Sequence, residues 1–430
     1  MTGSGCHATD DSVDSVSTSD AASERMTTGM PIDLGIAIVG LAVFGYIAAT
    51  NDVIEVGGGL GFDGANYAQM MSGSLAEGTA ATRLRPLIVL LNRPVYWLTK
   101  SPLFAFGLMN HVYAAALWYQ VCALYRRFDP RPIGRLLIVV NLSLCIATSK
   151  MFTYYPVLVD LGAYAVITWA MVRVLRGPGW VTALAVAAAM LSREFGICVA
   201  LFAVHRYVRL RLPFRHVVLT VAPAVVAFAA VWLWNNSFPR EQAGSMFALE
   251  NIARNATLWN DAVFVAFFLY FAVTVFGGIG VVLATSGDKV LHAVAAEPEW
   301  FTFSAPVLLA AAFGSADLSR YFAYLLPAAV VMYARCSAEW SLPRLLVVSA
   351  LVIVLTLVLQ DPFRHMTLPE YFRRWFPYYV EAGKIPVSQR LPLAPVWIRL
   401  VVALGIGLLV MPALARSVTQ TEQAPVGRPG

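Results

Sequence analysis

One short polar segment combines glycines with a carboxylate that could act as a general base. Asp63 follows the stretch GGGLG at residues 57–61, and Tyr67 lies one helical turn later, so both side chains can face the same cleft. The glycines let the backbone turn tightly just before them. A carboxylate that a bound lipid substrate desolvates can remove a proton from a hydroxyl group. In the competing interpretation, Asp63 only caps a short helix that runs through Met71.

A second candidate lies downstream, in the sequence Arg83-Leu84-Arg85-Pro86. In an extended stretch the two arginines point to the same side, which suits them to bind a phosphate through charge-assisted hydrogen bonds. The alternative is a pair of arginines that only reach to a headgroup boundary. The following residues, 86–99, are apolar and aromatic but interrupted by Arg93-Pro94, which predicts an interfacial helix instead of a membrane span.

Three further ionisable sites lie within or beside apolar stretches, where charge is costly and therefore often functional. Asp160 follows a Tyr-Tyr-Pro segment, and the pair Arg193-Glu194 interrupts the apolar stretch 180–205. The third set has the spacing i, i+3, i+4, i+7, so its members would share one helix face. These are Asp317, Arg320, Tyr321 and Tyr324.

Mutual neutralisation is the alternative role for each of these sites. Asp317 would then form a local ion pair with Arg320, and Asp160 an interhelical one with Arg193 or Lys150. The sequence leaves the two interpretations open.

The elements that position these residues are membrane helices. The 430 residues are 59% hydrophobic and 13% charged, and a soluble domain this apolar could not cover its surface with polar groups. A bilayer core about 30 Å thick needs about 20 apolar residues of helix. On that scale clear spans are predicted at 31–50, 102–125, 134–149, 152–172, 217–234, 261–285, 345–360 and 396–415.

Arginine placement orients the spans by the positive-inside rule. Arginines at 126–135 and 173–176 follow the second and fourth spans, which puts those loops and the N-terminus in the cytoplasm. The stretches 180–205 and 302–336 are then best explained as two passes each, with outer tips at 192–194 and 317–320. The expected fold is an all-α polytopic membrane protein with about twelve transmembrane helices and both termini cytoplasmic.

This topology divides the chain into a transmembrane domain at 31–415 and two disordered cytoplasmic tails, 1–30 and 416–430. Met26 and Met30 are alternative starts within the first tail. The sizeable outer loops, about 51–101, 235–260 and 361–395, carry many cations, which favours an anionic ligand on the extracytoplasmic side. The last of them is also aromatic, as expected of an interfacial belt, with Tyr371, Trp375, Phe376, Tyr378 and Tyr379.

Cysteine and histidine spacing gives no sign of a disulfide framework or a metal centre. The five cysteines are scattered singly, at least three of them inside apolar runs, and no CxxC pair occurs. The histidines show neither HxxxH nor HExxH spacing. We therefore predict no cofactor, leave a divalent-metal requirement open, and expect no nucleic-acid partner.

Taken together, these features resemble the polytopic C-type glycosyltransferase fold (GT-C). The features are an acidic residue in the first outer loop, an Arg-Pro element, an Asp in the fourth span, an Arg-Glu tip and a late Asp-x-x-Arg-Tyr with a following Pro327. The resemblance covers roughly 31–415. Two departures are Gly64 after Asp63, where better-known members often have an Asp-Glu pair, and the lack of the C-terminal soluble domain that many carry.

The resemblance implies a plasma-membrane enzyme whose donor is a sugar on polyprenyl phosphate and whose acceptor is an envelope glycan, lipid or protein. Asp63 would be the base. Arg83, Arg85, Arg193 or Arg320 would hold the donor phosphate, and the supporting or acceptor-orienting residues would be Tyr67, Asp160, Glu194, Asp317 and Tyr321.

A transporter or flippase of a lipid-linked or small anionic substrate is the main alternative, because many spans and intramembrane charges also suit alternating access. Against it, the sequence has no half-to-half repeat, and its polar residues gather toward one side instead of the midplane. A membrane O-acyltransferase or an O-antigen-type polymerase is a third possibility. The acyltransferase normally needs an activating histidine, for which His111 beside Asn110 is the one hint.

Overall fold

The computed structural model of the protein describes residues 29–238, 252–253, 256–260, 262–314, 318–365, 367, 398, 401–402 and 404–408. These residues form helices and turns, with no strand among them. Six of the helices have proline in the first turn, where its fixed φ suits the helix and its missing N–H costs nothing.

The first half of the chain builds two long apolar helices, Met30–Thr50 and Phe214–Asn236, a group of short helices in the first loop, and a packed set of other helices. The helix Pro102–Arg126 packs against Met30–Thr50 and Asp160–Arg176. The helix Trp180–Ser192 packs against Asp160–Arg176 and Phe214–Asn236. The helices are α1 Met30–Thr50, α2 Gly61–Ser72, α3 Ala80–Arg83, α4 Pro86–Thr99, α5 Pro102–Arg126, α6 Pro132–Leu144, α7 Lys150–Tyr154, α8 Asp160–Arg176, α9 Trp180–Ser192, α10 Gly196–Arg209 and α11 Phe214–Asn236.

The described residues of the second half form seven helices. Among them, Glu299–Phe313 packs on α10, and Leu342–Gln360 packs on α6 and Gly278–Thr285. Single 3₁₀ turns occupy Val56–Gly59, Leu75–Glu77, Ile146–Thr148 and Leu258–Asn260. The helices are α12 Ala262–Thr274, α13 Gly278–Thr285, α14 Gly287–Ala296, α15 Glu299–Phe313, α16 Leu318–Ala323, α17 Leu326–Ala338 and α18 Leu342–Gln360.

Among the described residues, three helices are long and apolar enough to cross a membrane: α1, α11 and α18. The bent pair α12–α13 makes a fourth if it counts as one span. Helix length and composition therefore do not support the predicted count of about twelve. The exposed side chains of α11, including Val225, Val226 and Leu233, form the kind of apolar surface that is stable only against lipid or another protein.

Three predicted spans are wrong as continuous helices. The span 134–149 is helical only to Leu144, after which Cys145 is extended and a 3₁₀ turn follows at Ile146–Thr148. The span 152–172 divides into α7 and α8, with an irregular stretch at 155–159 between them. The span 261–285 bends by 96° between α12 and α13. In contrast, the helix breaks predicted at 192–194 and near 317–320 lie where α9 gives way to α10 and where α15 gives way to α16.

The bend after α12 is stabilised by side chains that replace its lost helical hydrogen bonds. The Asn141 amide donates to the carbonyl of Phe276 at 3.2 Å, and the Thr356 hydroxyl accepts from the N–H of Gly278 at 2.8 Å. Gly277 has φ of +58°, and a Cβ there would lie 2.2 Å from Oγ1 of Thr356. A helix can break inside an apolar core only when its freed polar groups are satisfied in this way.

The molecule has two distinct ends, which α1 connects over about 30 Å, since its 21 residues rise about 1.5 Å each. At its N-terminal end the buried Asp33 pairs with Arg126 at 2.6 Å and with Arg135. Its C-terminal end leads into the loop that contains α2. The arginine-rich loops after α5 and α8 share the Asp33 end, because Arg127 donates to the carbonyl of Leu175.

Candidate functional site

A chain of ion pairs and hydrogen bonds joins eight ionisable or phenolic side chains near the C-terminal end of α1. They come from the first loop, the start of α8, the break between α9 and α10, and α16 with the turn after it. Most of its contacts join residues far apart in the sequence; Tyr324 and Asp160, for example, are 164 residues apart. In order along the network the residues are Tyr67, Arg85, Glu194, Arg193, Asp160, Arg320 and Asp63, with Tyr324 attached to Asp160.

Asp160 is the centre of the network. One carboxylate oxygen accepts from the Tyr324 hydroxyl at 2.7 Å and lies 3.3 Å from Nη1 of Arg193. The other accepts from Nη2 of Arg320 at 2.6 Å. Asp160 is the first residue of α8 and is completely buried. The predicted pairing with Arg193 is confirmed, and Arg320 is a second partner.

Glu194 links this centre to the first loop. Its carboxylate accepts from Nε of Arg85 at 3.1 Å and lies 3.4 Å from Nε of Arg193. Arg85 also donates to the Tyr67 hydroxyl at 3.0 Å. Nε and Nη1 of Arg193 lie at ion-pair distance from Glu194 and Asp160 but form no hydrogen bond among the described residues, so charge alone holds these contacts.

Burial and neighbouring charge fix the ionisation of this arm. Burial alone would lower the pKa of Arg85, but the adjacent Glu194 raises that pKa well above its usual range. Burial raises the pKa of the Tyr67 phenol, and Arg85 offsets only part of the increase. Arg85 is therefore a permanent cation, and Tyr67 stays protonated, with its own O–H free to point away from the guanidinium.

Asp63 lies at the accessible edge of the network. Its side chain is 47% exposed, and its carboxylate lies 3.9 Å from Nη1 of Arg320, at the outer limit of an ion pair. Helix α2 begins at Gly61, after Leu60, with no side-chain cap. The capping interpretation of Asp63 is therefore wrong: the residue belongs to the first turn, where the helix dipole favours a carboxylate.

Close backbone packing holds Asp63 in that place. Gly61 has φ of +70°, and a Cβ on it would lie 2.3 Å from the ring of Tyr155. The Tyr155 hydroxyl accepts from the N–H of Gly64 at 3.0 Å. A Cβ on Gly64 would lie 2.9 Å from Val157. The GxxG spacing therefore lets the first turn of α2 lie directly on the irregular stretch before Asp160.

The buried part of the network carries a net positive charge. Three guanidinium groups, those of Arg85, Arg193 and Arg320, face two buried carboxylates, those of Asp160 and Glu194. The difference is one positive charge. The half-exposed Asp63 offsets it only loosely, because its closest contact is 3.9 Å and is screened by solvent. An anion with one negative charge would complement this arrangement.

Not every predicted residue joins the network. Residues 80–83 are helical, so Arg83 and Arg85 are not on one side of an extended stretch, and the predicted pair is wrong. Arg83 instead donates to Asn235 at 2.9 Å and to the carbonyl of Gly78 at 2.7 Å, and its guanidinium stacks on Phe238. Asp317 lies outside the described residues, as do Tyr371, Trp375, Phe376, Tyr378 and Tyr379.

Two other predicted residues have structural contacts next to the network. The ring of Tyr321 packs edge-on against Phe195 at 5.2 Å, and Phe195 also stacks on Tyr324 at 4.3 Å. Lys150 does not pair with Asp160 among the contacts described; its ammonium group donates to the carbonyls of Asp361 and Arg364. The alternative pairing of Asp160 with Lys150 is therefore wrong.

The sequence reasoning missed two positioning tyrosines. Tyr155 holds the first turn of α2, and Tyr164 donates to the carbonyl of Arg320 at 3.2 Å, which fixes the backbone that carries this arginine. Tyr155 was visible only as part of the Tyr-Tyr-Pro segment before Asp160. Tyr164 lies on the same face of α8 as Asp160, one turn later, and this spacing was its signal.

The four described cysteines are buried and free: Cys122, Cys145, Cys198 and Cys336. Within the described part of the chain, no group of three or more His, Cys, Asp or Glu side chains is arranged to hold a metal ion. Comparison of the chain with protein-family models, with curated proteins and with solved structures gives no match.

Proposed function

We propose that this protein is a membrane glycosyltransferase that moves a sugar from a polyprenyl-phosphate carrier to an envelope glycan, lipid or protein on the extracytoplasmic side. The observation that carries the proposal is the convergence of Arg85, Arg193 and Arg320 from three distant segments beside the half-exposed Asp63. A buried cationic group next to an accessible carboxylate suits a reaction in which a phosphate leaves and a hydroxyl attacks.

The charges of the network match those of the donor. A sugar linked to polyprenyl phosphate is a phosphodiester with one negative charge, which equals the one positive charge in excess among the buried groups. Arg193 is the best candidate for its principal contact, because it lies between Asp160 and Glu194 and its Nε and Nη1 pair with these carboxylates without forming hydrogen bonds. Arg320 lies between Asp63 and Asp160 and would contact the same phosphate from the acceptor side.

In the proposed step, Asp63 takes the proton of the acceptor hydroxyl while the oxygen of that hydroxyl forms a bond to the anomeric carbon. The bond between that carbon and the phosphate oxygen breaks, and the polyprenyl phosphate leaves with a second negative charge. Guanidinium groups stabilise this growing charge, so no second acid is needed. Asp160 and Glu194 orient the arginines. The chemistry is an inverting transfer.

We also propose the orientation and the finer topology. The network lies near the end of α1 opposite the arginine-rich loops, so the positive-inside rule puts it outside and both termini in the cytoplasm. About twelve passes would require the shorter apolar helices to cross in pairs, as α9 and α10 would on either side of Arg193. The apolar helices of 10–17 residues are α6, α9, α15 and α17.

A transporter or flippase remains the second candidate, and the bend of 96° between α12 and α13 is what favours it. Discontinuous helices of this kind coordinate substrates in many transporters. Here, however, the freed backbone groups at Phe276 and Gly278 are already bonded to Asn141 and Thr356. The bend therefore offers fewer groups to a substrate than the network around Asp160.

The deciding experiment uses purified protein in lipid vesicles with radiolabelled polyprenyl-phosphate sugars and envelope acceptors. We expect the label to become covalently attached to an acceptor. Intact labelled donor that moves to the other leaflet or accumulates inside the vesicles, with no acceptor labelled, would contradict the transferase and support the transporter.

Gly61→Ala should lower the transfer rate about 100-fold without altering any polar group of the site, because misplacing a reacting group by about 1 Å has effects of this size. The new Cβ would meet the Tyr155 ring at 2.3 Å and push the first turn of α2, with Asp63, outward. Gly58→Ala is the matched control: Gly58 also has positive φ, +64°, but nothing lies within 4 Å of its Cβ position. Equal rates in the two variants would contradict the steric argument.

A further inference from the structure

A cavity lies at the opposite end of the molecule from Asp63. It has a volume of about 570 Å³, within the usual range for small-molecule sites, and lies between α14 and the C-terminal end of α17. Phe128 forms part of its wall, and this residue follows Arg126, which pairs with Asp33 at the start of α1. The length of α1, about 30 Å, therefore separates the two sites.

Basic side chains from two helices line this cavity. Lys289, His292 and Ala293 have the spacing i, i+3, i+4 and present one face of α14, while Arg335 comes from the last turn of α17. Phe128, Ala293 and Cys336 supply apolar wall. The lining thus combines nitrogen donors with an apolar surface, as an amphiphile with an anionic group would require. It also includes one carboxylate, that of Glu339.

Arg335 is held in a fixed orientation. Its Nη2 pairs with Glu297 at 2.9 Å, and its guanidinium covers the ring of Phe128 at 4.7 Å. The Trp300 indole N–H donates to Glu297 at 2.9 Å, so that carboxylate is itself anchored. With 26% of the Arg335 side chain exposed, part of its donor edge faces the cavity. A pre-oriented guanidinium binds an anion at little entropic cost.

An incoming anion can replace Glu339 as the partner of Lys289. Lys289 pairs with Glu339, but the two side chains are 45% and 69% exposed. Exposed ion pairs contribute little stability, so an incoming anion can take the place of Glu339 at small cost. Helix α14 also follows the apolar α13 directly and exposes Leu291, which places the cavity beside the region where the bilayer surface would lie.

We propose that this cavity binds a phosphate group carried by an amphiphile, such as the headgroup of an anionic lipid in the cytoplasmic leaflet. Lys289, His292 and Arg335 contact the phosphate, and Phe128, Ala293 and Cys336 pack against the neighbouring apolar part. This site is independent of the sugar-transfer proposal, because it uses none of the residues around Asp160.

Native mass spectrometry of the detergent-purified protein tests the site, with phosphatidylglycerol, phosphatidylcholine and inorganic phosphate as probes. We expect one saturable phosphatidylglycerol adduct. The double variant Lys289→Gln/His292→Gln alters two exposed side chains and should weaken that adduct about tenfold, because it removes one lysine cation and one imidazole that face the phosphate. Arg215→Gln, which removes an exposed cation outside the cavity, should leave it unchanged. Arg335→Gln should weaken lipid binding further. If Arg335→Gln does not fold, the result for Lys289→Gln/His292→Gln tests the proposal by itself.

The probes separate the sources of the phosphate. Displacement of the lipid by millimolar inorganic phosphate would support a site that recognises the phosphate itself, and a lipid that resists displacement would support headgroup and chain recognition together. Equal affinity for phosphatidylcholine and phosphatidylglycerol, or equal lipid retention by wild type and the double variant, would overturn the proposal.

Discussion

Asp63→Asn is expected to lower the rate of sugar transfer about 10³-fold, the usual contribution of a general base, while the protein remains folded. The amide cannot accept the proton of the acceptor hydroxyl. The change should not weaken donor binding, because the nearest cation, on Arg320, is 3.9 Å away and keeps its partner Asp160. Removing the negative charge of Asp63 leaves the positive charge of the network less opposed, so KM for the donor should stay equal or fall.

This split between kcat and KM distinguishes a base from a phosphate-binding or structural residue. Asp52→Asn is the matched control. Asp52 lies in the same loop, its side chain is 78% exposed, and it contacts His365 instead of a residue of the network. Transfer should proceed normally in that variant. Equal rates for wild type and Asp63→Asn would exclude the proposed role of Asp63, and a raised KM with unchanged kcat would assign it to binding.

The chemistry-bearing residues could be selected from the sequence because charge inside an apolar run is rare. Asp160, Arg193, Glu194 and Arg320 were identifiable on this ground alone. Their convergence could not be derived, because the contacts of Asp160 with Arg193 and Arg320 join positions 33 and 160 residues apart. Local patterns give the face of a helix, and tertiary packing decides which faces meet.

The predicted phosphate-binding pair of Arg83 and Arg85 is wrong because the local structure before it is a helical turn and not an extended stretch. An extended Arg83-Leu84-Arg85 would put both guanidinium groups on one side, but Thr79 caps a helical turn at 80–83 by accepting from the N–H of Thr82. The turn sends Arg83 toward Asn235 and leaves Arg85 facing Glu194. The cap was readable in the sequence, since threonine is a good N-cap residue.

The buried Asp33 is a charged residue that the sequence analysis does not name as a candidate site. It lies in the first predicted span, and an acidic residue in an apolar helix meets the same criterion as Asp160. Its partners Arg126 and Arg135 were assigned only to orient the loops. Near the end of a helix a charge can have either role, and the sequence cannot tell which cations lie near enough to pair.

Asp160→Asn should be the most destabilising conservative substitution in the network. The variant leaves three buried guanidinium groups facing one buried carboxylate, Glu194, and removes the charge that Arg193 and Arg320 share. Breaking a buried pair in this way costs about 3–5 kcal/mol, which for a chain of this size lowers the thermal midpoint by about 5 °C. The measurement is thermal unfolding in detergent at a fixed scan rate, with Asp63→Asn, which alters a half-exposed group, as the control that should change little.

A double variant tests whether unbalanced charge is the cause. In Asp160→Asn/Arg193→Gln one cation is removed together with the anion, which restores the original excess of one positive charge. The double variant should therefore melt above Asp160→Asn alone, since the two substitutions are coupled through one contact. Additive losses would instead assign the stability to packing and hydrogen bonds, among them the Tyr324 hydroxyl on Asp160. Sugar transfer should stay low in the double variant, because Arg193 is the proposed phosphate contact and charge balance alone does not replace it.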